Sequence, residues 1–154
     1  MSCLDFSNMK PNSKWEFGNI RSTEQWTHGY HRYPAKFLPD VVTKLIENEA
    51  IKNSPIADPF AGCGTTLVEA RIHGFESYGV DINPVAELIT KVKTTPIEPA
   101  KLLKAYNALI DKFNDYEESE FYSLKKHERI DYWFFPKEKY QIASLYKNIC
   151  KINN

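Results

Sequence analysis

The 154-residue sequence predicts an α/β fold whose parallel sheet is incomplete within the chain. Three observations support this prediction. Apolar residues make up 42% and charged residues 26%, a balance typical of a globular domain of ordinary size. Residues 55–82 follow a strand–turn–helix–strand order, the unit from which parallel sheets are built. Only two or three strands can be counted in all, fewer than a doubly wound sheet contains.

The chain opens with residues that show little periodicity. Residues 1–25 are polar with scattered aromatic side chains, which favours an irregular N-terminal arm. Residues 26–39 are rich in aromatic residues and prolines, which indicates a structured loop. Asp40, directly after Pro39, is expected to cap a helix that ends near residue 53.

The central segment predicts the β-α-β unit. A buried strand, Pro55–Ala57, leads to Asp58, and a turn of small residues follows. Thr65 or Thr66 is expected to cap the next helix, which stops at Gly74 because glycine is favoured just after a helix. A second strand, Ser77–Ile82, completes the unit.

Helices dominate the remainder of the chain. Asn83-Pro84 is a helix start of the cap-then-proline type, and its helix runs to about residue 93. Residues 94–99 are a break with room for a short strand. Ala100–Asn114 carries an apolar stripe that is either core or a subunit interface, and a last helix spans about Lys137–Ile152. The predicted domains are therefore an arm (1–25), a cofactor-binding core (26–99) and a helical segment (100–154).

Charge and cysteine content exclude several classes of protein. Lys plus Arg and Asp plus Glu both number 20, so the chain by itself does not resemble a strong nucleic-acid binder. Cys3, Cys63 and Cys150 are too few and too scattered for a disulfide framework. No secretory signal or membrane span is apparent, so we expect a cytoplasmic protein.

The first turn of the β-α-β unit has the composition of a ligand site. Gly62 and Gly64 allow the backbone to approach a ligand closely. Asp81 ends the second strand, where a carboxylate can accept hydrogen bonds from ribose hydroxyls. A dinucleotide site normally has a third glycine, but Leu67 stands three residues after Gly64. A nucleoside without phosphate therefore fits best, with a nicotinamide or flavin site and a tight turn without ligand as alternatives.

Three segments resemble amino-group (N4-cytosine or N6-adenine) S-adenosylmethionine-dependent DNA methyltransferases. Asp58–Thr66 resembles the cofactor loop of that family, and Gly79–Pro84 resembles its next motif. His31–Phe37 is similar to the segment that closes over the methionine end of the cofactor, and Ile130–Phe134 to a region further along in some members. The resemblance implies a partial Rossmann-like methyltransferase fold, S-adenosylmethionine as the cofactor and a role in restriction–modification.

The resemblance also implies a role for individual residues. Phe60, Gly62 and Gly64 would line the cofactor. Asp58 would lie beside its amino-acid portion, Asp81 would bind its ribose, and Ile82 would pack on its adenine. The preceding segment would contribute the last three of these cofactor-binding residues, Tyr33, Ala35 and Lys36.

The catalytic motif of the family is not present in this sequence. That motif joins a polar residue to two prolines and an aromatic residue, which orient the target amino group and stack on the flipped base. The chain has nine prolines, none adjacent to another. No catalytic residue is therefore assigned, and DNA would be bound by a complete enzyme. The chain is therefore expected to be inactive alone. It would be either one subunit of a split enzyme, whose second subunit contains the catalytic motif and recognises the target, or a truncated product. The alternative is a non-catalytic cofactor-binding or assembly subunit.

Other candidate groups have simpler interpretations. His28 and His31 could ligate a metal, but no cysteine or acid nearby completes a zinc set, so hydrogen-bonded loop histidines are favoured. Lys36 has an ordinary salt bridge as its alternative role. The aromatic run Trp133–Phe135 is either core or a base-stacking surface.

Overall fold

The computed structural model describes residues 24–113 and 129–152, together with Trp15, Phe17 and Tyr116. Most of the predicted N-terminal arm therefore lies outside the described residues. The chain divides into two compact units, Met1–Pro96 and Ile97–Asn154. This division follows residue 96, whereas the sequence places a domain boundary after residue 99.

The first unit is a mixed α/β arrangement around a two-stranded parallel sheet. Strands β1 (Ile56–Asp58) and β2 (Ser77–Gly79) pair in parallel, with Ala57 opposite Tyr78. Helix α2 (Thr65–Ile72) connects the two strands, α1 (Pro39–Glu49) precedes β1, and α3 (Pro84–Thr94) follows β2. The predicted β-α-β order is confirmed, while residues 95–98 form no strand.

Strand β2 is shorter than the sequence predicts, ending at Gly79 rather than at Ile82. The Val80 amide donates to the Asp58 carbonyl oxygen at 2.9 Å, and the Val80 carbonyl accepts from the Ala61 amide. At this point β1 has already turned into its loop. The ladder ends because the neighbouring backbone no longer runs alongside as a strand.

Two predicted helix caps are wrong. Helix α1 begins at Pro39 with Leu38 as its N-cap, so Asp40 lies in the first turn. Proline favours the first helical position and holds the preceding residue extended, which explains the earlier start. Helix α2 is capped by Gly64, so Thr65 is its first residue. The Asn83 cap is confirmed, because its side chain accepts a hydrogen bond from the Val85 amide at 3.0 Å.

A small apolar core fixes α1 and α2 against the sheet. Val42, Ile46 and Ala70 are buried together, with Ile56 and Phe75 packed against them. The 3-10 turn Trp26–Tyr30 also packs against α2 and α3. The 3-10 turn that precedes α1 is therefore attached to the helices before and after β2.

The second unit is helical in its described part. It contains α4 (Pro99–Phe113), the short α5 (Ile130–Trp133) and α6 (Pro136–Ile152), and α4 packs against α6. Ser144 of α6 is buried and donates to the Lys112 carbonyl oxygen at 3.3 Å. Helix α4 buries none of its residues, so the core interpretation of its apolar stripe is wrong for this unit.

The aromatic run after residue 132 is also not core. Trp133 and Phe135 are largely exposed, and Trp133 makes an edge contact with Tyr132 at 5.0 Å between ring centroids. In the part of the chain that the structure describes, no helix has the length and apolar character needed to cross a membrane.

Candidate cofactor site

The loop between β1 and α2 is tied down by backbone hydrogen bonds. Gly62 and Gly64 adopt positive φ angles of 51° and 79°. The Gly64 amide donates to the Ala61 carbonyl oxygen at 2.8 Å, which closes a tight turn directly before α2. The Asp58 carboxylate accepts the Phe60 amide at 3.0 Å and so orders the start of the loop.

Asp81 joins this loop to the end of β2. Its Oδ2 atom accepts a hydrogen bond from the Gly62 amide at 2.8 Å, and its Oδ1 atom accepts one from the Asn83 amide at 2.8 Å. The carboxylate therefore holds the glycine turn and the start of α3 together. Each carboxylate oxygen has two lone-pair sites, so each retains capacity for a further donor.

Helix α3 also holds the same loop. Thr90 donates to the Gly62 carbonyl oxygen at 3.1 Å, and Lys93 Nζ donates to the Cys63 carbonyl oxygen at 3.2 Å. A Cβ atom at Gly64 would lie 2.6 Å from Thr90 Oγ1. Gly64 is thus required by its positive φ and by close packing against α3.

The segment that leads into α1 forms a second wall opposite the loop. Residues 31–38 form no helix or strand, and Ala35 has a positive φ of 54°. Lys36 Nζ donates to the His28 carbonyl oxygen at 3.2 Å, so this lysine is tied to the preceding 3-10 turn.

The loop and the segment enclose a cavity of about 420 Å³ at the carboxyl end of β1. This is the position at which parallel sheets bind ligands. Six of the nine residues predicted from the sequence line it: Tyr33, Ala35, Lys36, Asp58, Phe60 and Gly62. The remaining lining residues were not predicted: Phe37, Ala57, Ala61, Cys63, Thr65 and Thr66.

Three predicted residues do not line this cavity. Gly64 faces Thr90, and Asp81 acts on the loop through Gly62. Ile82 is fully exposed beyond the end of β2, and the lining residue Phe60 is 88% exposed. Phe60 and Ile82 are therefore apolar surfaces open to contact with a ligand.

A buried hydrogen-bonded pair connects the 3-10 turn to α2. His28 and Glu69 are only 2% and 1% exposed, and His28 Nε2 lies 2.8 Å from Glu69 Oε1. Burial lowers the pKa of His28, and the nearby charges of Lys93 and Lys36 lower it further, although hydrogen bonding to Glu69 opposes the shift. Thr43 of α1 donates to the second carboxylate oxygen of Glu69.

Lys93 is a third buried ionisable group, 4% exposed. Burial lowers its pKa, Lys36 acts in the same direction, and Cys63 opposes them. In the described residues, no cluster of three His, Cys, Asp or Glu side chains is arranged to hold a metal ion.

Sequence reasoning missed Glu69, Thr90 and Lys93. Polar residues within helices are usually solvated, and periodicity alone gives no reason to bury them. One weak signal was available: Thr90 and Lys93 are three residues apart and so share a helix face. Glu69 lies between Val68 and Ala70, which offers no comparable signal.

Together, the glycine loop, the acid that follows β2 and the cavity form a candidate small-molecule site at the carboxyl edge of a parallel sheet. Residues 5–92 match the model of the N6_N4_Mtase family, described as DNA methylase. The chain belongs to this family, which confirms the resemblance seen in the sequence.

Three curated relatives are Type II methyltransferases. The chain is similar to M.MvaI of Kocuria varians, with 41% identity over 122 residues, or 73% of this chain and 27% of that protein. It is 35% identical to M.MjaII of Methanocaldococcus jannaschii over 92 residues, 60% of the chain and 17% of the relative. It is 34% identical to M.BsoBI of Geobacillus stearothermophilus over 84 residues, which is 54% of this chain and 15% of that protein.

The chain thus spans about a quarter or less of the length of these relatives. No solved structure matched the chain.

Proposed function

We propose that this chain is the S-adenosylmethionine-binding portion of a site-specific DNA methyltransferase, built on a partial Rossmann-like fold and acting in the cytoplasm. One observation carries the proposal. The loop and the segment that resemble the family's cofactor motifs are separate in sequence, yet six of the residues predicted from them line a single cavity. A volume of about 420 Å³ lies within the usual range for small-molecule sites.

The chemistry of the lining fits this cofactor. The amino-acid end of S-adenosylmethionine carries an ammonium and a carboxylate, and the cavity presents the Asp58 carboxylate and the Lys36 ammonium. Asp58 would lie beside the amino-acid portion, while Tyr33, Ala35 and Lys36 would close over the methionine end. Opposite charges within such a partly enclosed site attract more strongly than in bulk water.

The nucleoside end would lie over the loop and the end of β2. Phe60 and Gly62 would line it, Gly64 would support the turn through its close packing on Thr90, and the exposed Ile82 would pack on adenine. Asp81 would bind the ribose through the lone pairs that its bonds to Gly62 and Asn83 leave available. When bound, S-adenosylmethionine supplies an electrophilic methyl group; the residues of this chain bind and orient it.

The methyl acceptor would be an exocyclic amino nitrogen of cytosine or adenine. The segment that orients this nitrogen and stacks on the base would come from outside these 154 residues, because their prolines form no adjacent pair. The chain would then be one subunit of a split enzyme or a truncated product. A second subunit would carry the catalytic motif and target recognition, and the complete enzyme would bind DNA.

Two measurements test this function. Isothermal titration of the chain with S-adenosylmethionine should show saturable binding, and absence of binding would contradict the proposal. A methyl-transfer assay on mixed DNA should show no transfer by the chain alone and transfer when a chain with the catalytic motif is added. Binding without transfer in either case would favour the alternative, a non-catalytic cofactor-binding or assembly subunit.

A further inference from the structure

One wall of the cavity is built from residues that belong to no regular element. Tyr33, Ala35, Lys36 and Phe37 line the cavity, and all lie within residues 31–38, which are neither helix nor strand. A strand or helix is held by its own backbone hydrogen bonds, whereas an irregular segment depends on side chains for its position. The ends of this segment are therefore important for the shape of the site.

A single buried carboxylate contacts the elements at both ends. Glu69 Oε1 lies 2.8 Å from His28 Nε2, in the 3-10 turn before the segment. Glu69 Oε2 accepts a hydrogen bond from Thr43 Oγ1, on helix α1 after the segment. Because a carboxylate only accepts hydrogen bonds, His28 Nε2 carries the proton in this pair.

The same carboxylate connects both walls of the cavity. Glu69 belongs to α2, whose first residues Thr65 and Thr66 line the cavity from the loop side. On the other side, the His28 carbonyl oxygen accepts the hydrogen bond of Lys36, which reaches the cavity directly. A rigid helix thus carries one wall and, through Glu69, fixes the ends of the other.

We propose that Glu69 is a positioning residue for cofactor binding: its carboxylate clamps both ends of segment 31–38 and so keeps the cavity wall in its binding arrangement. This inference rests on the proposed function, since the ligand of the cavity is taken to be S-adenosylmethionine. Glu69 is almost fully buried and would not touch the cofactor; it acts through His28 and Thr43.

The expected effect follows from the fraction of molecules whose wall is in place. The apparent dissociation constant rises as the binding-competent fraction falls. In Glu69→Leu, His28 and Thr43 lose their buried acceptor, so the segment should open and the dissociation constant should rise about tenfold. Glu69→Gln has nearly the same volume; its amide oxygen can accept from His28 and its amide nitrogen can donate to Thr43. Binding by Glu69→Gln should therefore stay within about twofold of wild type.

The control must reduce stability without touching the clamp. Phe75 packs against the apolar core after the far end of α2 and does not line the cavity. Phe75→Leu should lower the melting temperature while leaving the affinity for S-adenosylmethionine unchanged. Titration calorimetry and thermal unfolding of the 154-residue chain would compare all three variants.

Limited proteolysis gives a readout that needs no ligand. Trypsin cleaves after the exposed Arg32, within the segment, at a rate that reports local opening. Cleavage after Arg32 should be accelerated in Glu69→Leu but not in Glu69→Gln or Phe75→Leu. If Glu69→Leu does not fold, Thr43→Val removes one arm of the clamp and should show a smaller increase in cleavage and in the dissociation constant.

Two results would overturn the inference. One is a Glu69→Leu chain, or its Thr43→Val substitute, that matches Phe75→Leu in both affinity and cleavage. The other is a Glu69→Gln chain as impaired as Glu69→Leu, because hydrogen bonding would then not explain the effect. If the wild-type chain does not bind S-adenosylmethionine, the proposed function fails instead, and the cleavage rates alone decide whether the clamp exists.

Discussion

Asp81→Ala gives the most direct test of the nucleoside end of the site. The variant removes the acceptors of two backbone amides, Gly62 at 2.8 Å and Asn83 at 2.8 Å. It also removes the proposed ribose contacts. A hydrogen bond to a charged group contributes about 1.5–3 kcal/mol, so each ribose bond lost should weaken binding about 10-fold to 150-fold.

The structure adds a second effect of this substitution, on the loop. The Gly62 amide is partly buried, and without the carboxylate it must find water or stay unpaired. The free energy of unfolding should therefore fall by about 1–3 kcal/mol even without ligand. Asp81→Asn retains one acceptor oxygen but turns an NH₂ group toward a backbone donor, so its effects should be intermediate.

Titration calorimetry with S-adenosylmethionine would measure the affinity, and thermal unfolding without ligand would measure the stability. Glu87→Ala is a matched control, because it removes one negative charge from the exposed first turn of α3. An Asp81→Ala chain that binds S-adenosylmethionine as tightly as the control would refute the ribose assignment. A loss of stability alone, with affinity unchanged, would leave Asp81 as a residue that only supports the loop.

Three further predictions concern the turn, the buried histidine and the product. Gly64→Ala should lower the free energy of unfolding by about 2–5 kcal/mol, because it adds both a strained φ and a clash with Thr90. Gly74 has a φ of +78° but open space around it, so Gly74→Ala should lower the free energy of unfolding by only about 1–2 kcal/mol in the same denaturation assay. Burial lowers the pKa of His28; Lys93 and Lys36 act in the same direction, and Glu69 opposes them. As the pH falls, His28 is therefore protonated in the unfolded chain before it is protonated in the folded chain. The stability contributed by neutral His28 is present above about pH 6.5 and is lost on acidification below that value. Unfolding curves of His28→Gln should show a weaker pH dependence below about pH 6.5. Nucleosides from DNA modified by the complete enzyme should contain N-methylated adenine or cytosine. Methyl transfer to the cytosine ring carbon needs a cysteine thiolate, which follows a proline in the enzymes of that class, and no cysteine of this chain follows a proline. Mass spectrometry that finds 5-methylcytosine alone would contradict this expectation.

Local sequence signals predicted the elements of the first unit well. Asn83-Pro84 specifies a helix start, and the Asn83 side chain caps α3 as expected. Gly74 adopts the left-handed conformation after α2. The predictions for Asp40, Thr65 and Thr66 failed because several adjacent residues can cap a helix, and the backbone conformation at Leu38 and Gly64 decides between them.

The candidate site likewise contains residues that local sequence predicts and contacts that depend on how the strands pair. The two glycines of the turn and Asp81 could be predicted from their positions after strands. The family motifs indicated Asp58, Tyr33, Ala35 and Lys36. The position of Asp81 relative to Gly62 could not be read, since it depends on how far β2 runs beside β1. Ile82 was predicted to end a strand, but it lies beyond the ladder and is fully exposed.

The sequence by itself determined the family, the β-α-β order and half of the residues that line the cavity, because these depend on short motifs and on local backbone preferences. Only the tertiary structure decided which polar groups support those residues. Glu69, Thr90 and Lys93 resemble solvent-facing residues along their helices, yet each is buried and hydrogen bonded to a segment at least 26 residues away. Such pairings depend on how helices pack in three dimensions, and a desolvated charge is stable only where that packing supplies its partners.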